Sequence, residues 1–133
     1  MHIVLYTNCL LMSISPQSRY RQIWQAFLFG KYTLCLSNEI VEEYAEVIAR
    51  NISQRVSEAI VYAILTRPNV MRVDPHYSFG LITADTDDNK FVDCAIVANA
   101  RCIVTEDKHF NILKTIPFPR VEVESIDEFL REL

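Results

Sequence analysis

The sequence predicts a three-layer α/β/α sandwich around a central parallel sheet. Three observations lead there. Short apolar runs alternate with amphipathic helical stretches along the chain, the order expected of strands joined by crossover helices. The first run, residues 2–6, lacks the apolar-polar alternation of a half-exposed strand, as befits a strand covered on both faces. The length of 133 residues suits one domain, 1–133, with its own core.

The elements follow in order. Residues 2–6 form the first strand and stop at Tyr6-Thr7-Asn8 without glycine or proline. In SRYRQIWQAFLF (18–29), Ile23, Trp24, Phe27 and Leu28 fall on one helix face, and Gly30 is a stop. YTLCL (32–36) is a second strand. Ser37 or Asn38 caps the helix EIVEEYAEVIAR, and a further helix covers about 53–66, with Val56, Ile60, Ala63 and Ile64 at helical spacing. NVMRV, centred on 70–73, is a strand, and 74–86 a loop. Asp87 or Asp88 caps a helix running to about Ala100. CIVT (102–105) is a strand, KHFNILKTI a short helix, VEVES an edge strand and IDEFLREL a closing helix.

Composition narrows the function classes. Half of the residues are apolar, 23% are charged and the net charge is −4. That is a globular balance, and a nucleic-acid role then needs a local basic patch or bound cations. Two glycines, Gly30 and Gly80, are too few for a phosphate-cradling loop, which needs several close together. Cys9, Cys35, Cys94 and Cys102 sit in apolar stretches without ligand-like spacing, so reduced thiols and no structural zinc are expected. No stretch approaches a membrane span and no basic leader precedes the first apolar run. A soluble, unexported, cytoplasmic protein is expected.

In a parallel sheet the ligand site lies at the carboxyl ends of the strands, which directs attention to Tyr6-Thr7-Asn8 and Thr105-Glu106-Asp107. Asp93 is the one charged side chain in FVDCAIVA. In a helix apolar nearly all round, its carboxylate needs a cation, rich hydrogen bonding or a functional role. Glu43 borders the apolar stripe of Ile40, Tyr44, Val47 and Ile48 and reads alone as a boundary residue. Asp107 is either a site carboxylate or the cap of the next helix. Asp85, Asp87 and Asp88 form an acidic cluster before the Asp93 helix, open to capping, solvation or metal ligation. Several carboxylates near one sheet edge form a hard oxygen site suited to Mg²⁺ or Mn²⁺. His2, His76 and His109 are scattered. MRVDPHYSF mixes Arg72 with His76, Tyr77 and Phe79, a mix able to stack RNA bases; aromatics packed on the domain are the expectation.

IVLYTN, LSNEIVEEY, DTDDNKFVDCAIVANA and CIVTEDKHF, in this order along almost the whole chain, resemble the PIN-domain family, in particular bacterial PIN proteins of toxin–antitoxin systems. The resemblance implies an α/β/α fold and a carboxylate site for Mg²⁺ or Mn²⁺. It also implies cleavage of single-stranded RNA by a metal-activated water. Glu43, Asp93 and Asp107 fall on the family's acidic positions, and Asp88, in DDNKF, is a further candidate ligand. Thr7, Asn8 and Thr105 fall on its hydroxyl and amide positions near the metal. Antitoxin and homodimer partners are implied too. Where the family pattern reads Asp-Thr-Asn, this chain reads Tyr6-Thr7-Asn8. A phenol, with a pKa of about 10, stays protonated at neutral pH and is a poor ligand for a hard divalent ion. Two functions follow: a metal-dependent endoribonuclease, active or weakened, or a catalytically silent module that binds RNA or a protein partner. In both, Glu43, Asp93 and Asp107 are expected to converge near Tyr6.

Overall fold

The computed structural model describes Met1–Leu133. Its strands are β1 (His2–Leu5), β2 (Thr33–Leu36), β3 (Val70–Arg72), β4 (Cys102–Val104) and β5 (Val123–Glu124). They form one sheet in the order β3-β2-β1-β4-β5, with every pairing parallel. The helices are α1 (Thr7–Ile14), α2 (Arg21–Leu28), α3 (Asn38–Asn51), α4 (Gln54–Thr66), α5 (Asn89–Ala98) and α6 (Ile126–Arg131). The chain steps one way from β1 through β2 to β3, then returns across β1 to β4 and β5. Right-handed crossovers therefore place α1–α4 on one face and α5 on the other. This is the expected three-layer arrangement, and the strands are accordingly buried on both sides: Ile3, Val4, Cys35, Leu36, Ile103 and Val104 are wholly enclosed.

The reversal of strand order falls between β1 and β4, which pair from Ile3–Cys102 to Leu5–Val104. A crevice at the carboxyl ends of the strands opens at such a switch point. Tyr6 and Thr105 are the residues that leave these two strands.

Local chemistry accounts for most of the boundaries. Ser37, rather than Asn38, caps α3, its hydroxyl accepting from the Ile40 amide. Ser53 does the same for α4. Ser125 and Glu128 form a reciprocal capping box at α6. Gly30, at φ 77°, ends α2 as the sequence suggests, in a conformation that costs glycine little.

Several elements depart from expectation. Tyr6-Thr7-Asn8 opens α1 directly after β1. The Tyr6 carbonyl accepts from the Cys9 and Leu10 amides while its own amide bonds Val104 in the sheet. Tyr6 supplies no side-chain cap, so the usual sequence signal of a helix start is absent. α2 starts three residues late, because the Ser18 hydroxyl accepts from the Tyr20 amide and holds a turn there. Lys108–Thr115 is a 3₁₀ segment rather than an α-helix. The edge strand shrinks to Val123–Glu124.

α3 is tied to the strand that carries Tyr6. The wholly buried Tyr44 donates from its hydroxyl to the Leu5 carbonyl at 2.6 Å. Tyr44→Phe removes that donor, and a buried acceptor deprived of its partner costs about 1–2 kcal/mol. Urea unfolding should show a lower midpoint with an unchanged slope. An unchanged midpoint would mean that the bond contributes nothing net.

Candidate functional site

Tyr6 leaves β1 at the switch point. Its ring packs between Phe91 of α5 and Phe110 of the 3₁₀ segment, with centroids 5.0 and 5.1 Å away. This clamp aims the hydroxyl at two carboxylates: Asp88 Oδ1 at 3.0 Å and Asp107 Oδ2 at 3.3 Å. One phenolic proton serves one acceptor at a time, so the hydroxyl separates two anions while neutralising neither. Burial, then the charge and hydrogen bond of Asp88, raise the Tyr6 pKa well above its ordinary value. The phenol is therefore neutral at physiological pH.

Asp88 occupies the first position before α5 but does not cap it. Its other oxygen faces His109 Nδ1 at 3.4 Å. Burial is the largest influence on its carboxyl and raises the pKa; the bonds from Tyr6 and His109 oppose the shift. Asp85, not Asp87 or Asp88, receives the capping bond of the turn before α5, from the Asp87 amide at 3.1 Å. Asp107 combines both roles that the sequence left open. Oδ1 caps the 3₁₀ segment through the His109 amide at 2.8 Å, while Oδ2 faces Tyr6. Thr105 holds the turn, its hydroxyl accepting from the Asp107 amide at 3.0 Å. Ligand atoms of Asp85, Asp88 and His109 lie within 4.8 Å of one another, a group able to hold a metal ion.

Glu43 reaches the same crevice from α3. Its Oε2 accepts the Thr7 hydroxyl, and its Oε1 lies 2.7 Å from Lys90 Nζ. Lys90 also bonds Asp87 at 3.0 Å. Asn8, the third polar residue after β1, is exposed on α1.

Asp93 faces elsewhere. Its Oδ1 accepts the Phe79 amide at 3.2 Å, and it lines a polar cleft of about 480 Å³ with Glu39, Asp74, His76 and Lys90. That cleft lies beyond the carboxyl ends of β2 and β3. Glu43, Asp88 and Asp107 thus gather around Tyr6, whereas Asp93 opens onto the adjoining hollow. The aromatic loop also differs from expectation. Tyr77 packs edge-on against Phe79 at 4.7 Å but remains 67% exposed at the mouth of the cleft.

Two participants were weakly marked in the sequence. His109 is one of three scattered histidines in the sequence, and its contact with Asp88, 21 residues away, depends on the fold. Lys90 carries a faint signal, one lysine ending an acidic run just before an apolar helix.

A family model described as PIN domain matches residues 2–109. A chain in the crystal structure of VapBC2 from Rickettsia felis, bound to a DNA fragment from their promoter, is similar in fold. The TM-score is 0.64 and the identity 19%, over 94% of this chain and 98% of that one. No curated protein matches. No helix is long and apolar enough to cross a membrane.

The Asp93 carboxyl supplies a stability test. Burial raises its pKa, with the Phe79 amide opposing the shift. The folded state therefore binds this proton more tightly than the unfolded state does. Its contribution turns unfavourable as pH rises from the unfolded value, about 4, through the folded one. Asn keeps an oxygen for the Phe79 amide and carries no charge. Asp93→Asn should raise the metal-free melting temperature at pH 7 by a few degrees, with the gain disappearing near pH 4. A fall at pH 7 would mark the charge itself as structural.

Proposed function

Since the chain belongs to the PIN domain family, we propose that it is a metal-dependent endoribonuclease of the toxin type, acting on single-stranded RNA and held to low turnover by Tyr6. The observation that carries this reading is the meeting of Asp88 and Asp107 across the Tyr6 hydroxyl at the switch point.

The residues present fit a divalent cation. The carboxylates of Glu43, Asp85, Asp87, Asp88 and Asp107 outnumber the Lys90 ammonium, and that surplus of negative charge favours a cation. Asp88 and Asp107 would hold the ion, with Asp85 and His109 completing its surroundings. Carboxylate oxygens suit Mg²⁺, and the imidazole tilts the set toward Mn²⁺. When bound, such an ion lowers the pKa of water and stabilises the negative charge that develops on a phosphodiester. Glu43 fixes Thr7 and Lys90 at one wall. Asp93, the remaining acidic position of the family pattern, lines the adjoining cleft, where exposed Tyr77 offers a stacking face for a base.

The second reading, a silent module that binds RNA or a protein, is favoured by the Tyr6 hydroxyl itself. It fills the gap between the two carboxylates best placed to hold an ion. In either case an antitoxin protein and a second copy of the chain are the proposed partners, by the toxin-type motifs and the likeness to a VapBC2 chain.

Tyr6→Asp distinguishes the readings. It removes a ring from between Phe91 and Phe110, costing about 2–4 kcal/mol of metal-free stability, and adds an anionic ligand beside Asp88 and Asp107. Mn²⁺ affinity should rise on the order of tenfold, and cleavage of unstructured RNA should rise with it, while Asp88→Asn abolishes both. A folded Tyr6→Asp protein with unchanged affinity and turnover would overturn the restrained-nuclease reading.

A further inference from the structure

Glu43 is engaged at both oxygens before any ion arrives. Oε2 accepts the Thr7 hydroxyl from α1, and Oε1 lies 2.7 Å from Lys90 Nζ on α5. The ammonium bridges onward to Asp87 at 3.0 Å, and its side chain is only 12% exposed. This differs from a surface ion pair, in which both side chains remain largely solvated and the gain is small. Nor is the lysine there to stabilise its helix. Lys90 is the second residue of α5, and a cation in the first turn opposes the helix dipole. Its ammonium lies within 3.0 Å of one oxygen from each of two carboxylates. Its ammonium also lies 5.8 Å from the Phe91 ring centroid, but its close contacts are with the two carboxylates that it joins. Asp88 and Asp107 have no equivalent ammonium; a neutral phenol and His109 face them instead.

We propose that Lys90 is a resident cation, filling the position between Glu43 and Asp87 that a divalent ion would otherwise take, so that the chain holds one ion at Asp88 and Asp107 rather than two. This rests on the metal-dependent reading for the ion at Asp88 and Asp107 but not for the role of Lys90. Glu43 is then a positioning residue for Thr7 and Lys90, and not an ion ligand.

The test is Mn²⁺ binding to the full chain by titration calorimetry, with circular dichroism to verify folding. Wild-type protein and Lys90→Arg should each take one equivalent. Lys90→Met should take a second, and Lys90→Gln serves the same purpose if the methionine variant fails to fold. Glu43→Gln should leave the affinity of the single ion within about threefold, whereas Asp88→Asn should weaken it at least tenfold. Lys90→Met and Lys90→Gln with the wild-type stoichiometry would overturn the proposal. So would two equivalents in the wild type, or a Glu43→Gln loss as large as that of Asp88→Asn. A wild type that takes no Mn²⁺ while Lys90→Met takes one equivalent would defeat the metal-dependent reading, yet support Lys90 as the occupant of its position.

Discussion

Carboxylates gathered at one edge of a parallel sheet repel one another, and the shape of this edge follows from how that repulsion is relieved. Glu43, Asp87, Asp88 and Asp107 arrive from separate elements: α3, the turn before α5, and the strand end after β4. Each is met by a donor. Lys90 meets Glu43 and Asp87, Tyr6 stands between Asp88 and Asp107, and His109 touches both of the latter. The donors differ in kind. An ammonium cancels charge, whereas a phenol only supplies a dipole. The Lys90 ammonium offsets part of the charge of Glu43 and Asp87, whereas the phenol offsets none of the charge of Asp88 and Asp107.

The aromatic clamp makes the phenol an effective spacer. Phe91 and Phe110 lie wholly within the core, and a tilted contact with the first and an edge-on contact with the second fix the plane of the Tyr6 ring. A ring so held cannot swing away without opening core contacts. Tyr6 also joins the sheet to α1 through its backbone. The residue that departs from the family pattern is thus bound into strand, helix and core together, and its hydroxyl position is set by packing more than by the bonds that it makes.

The carboxyl edge consequently has two compartments. Around Tyr6 the groups are interlocked and partly buried. Beyond β2 and β3 lies the wider polar cleft, with Asp93 in its wall and Tyr77 at its mouth. Lys90 belongs to both, lining the cleft while its ammonium contacts Glu43.

The alternation of apolar runs with amphipathic stretches was enough to determine the parallel sheet and its two covered faces, because burial on both sides demands unbroken apolar strands. Caps such as Ser37 and the stop at Gly30 were also legible, since they act within a few residues. α1 was not, because Tyr6 starts it with backbone groups alone. At the site, Asp107 and Glu43 stand out by motif, and Asp93 stands out more than Asp88 because an isolated charge in an apolar helix is more conspicuous than one in an acidic run. Only the tertiary structure shows where each of the two stands. Helical rotation carries Asp93 toward the Phe79 loop, while the turn before α5 delivers Asp88 to Tyr6. The pairing of Lys90 with Glu43 likewise depends on how α3 and α5 meet, a separation of 47 residues that no local pattern encodes.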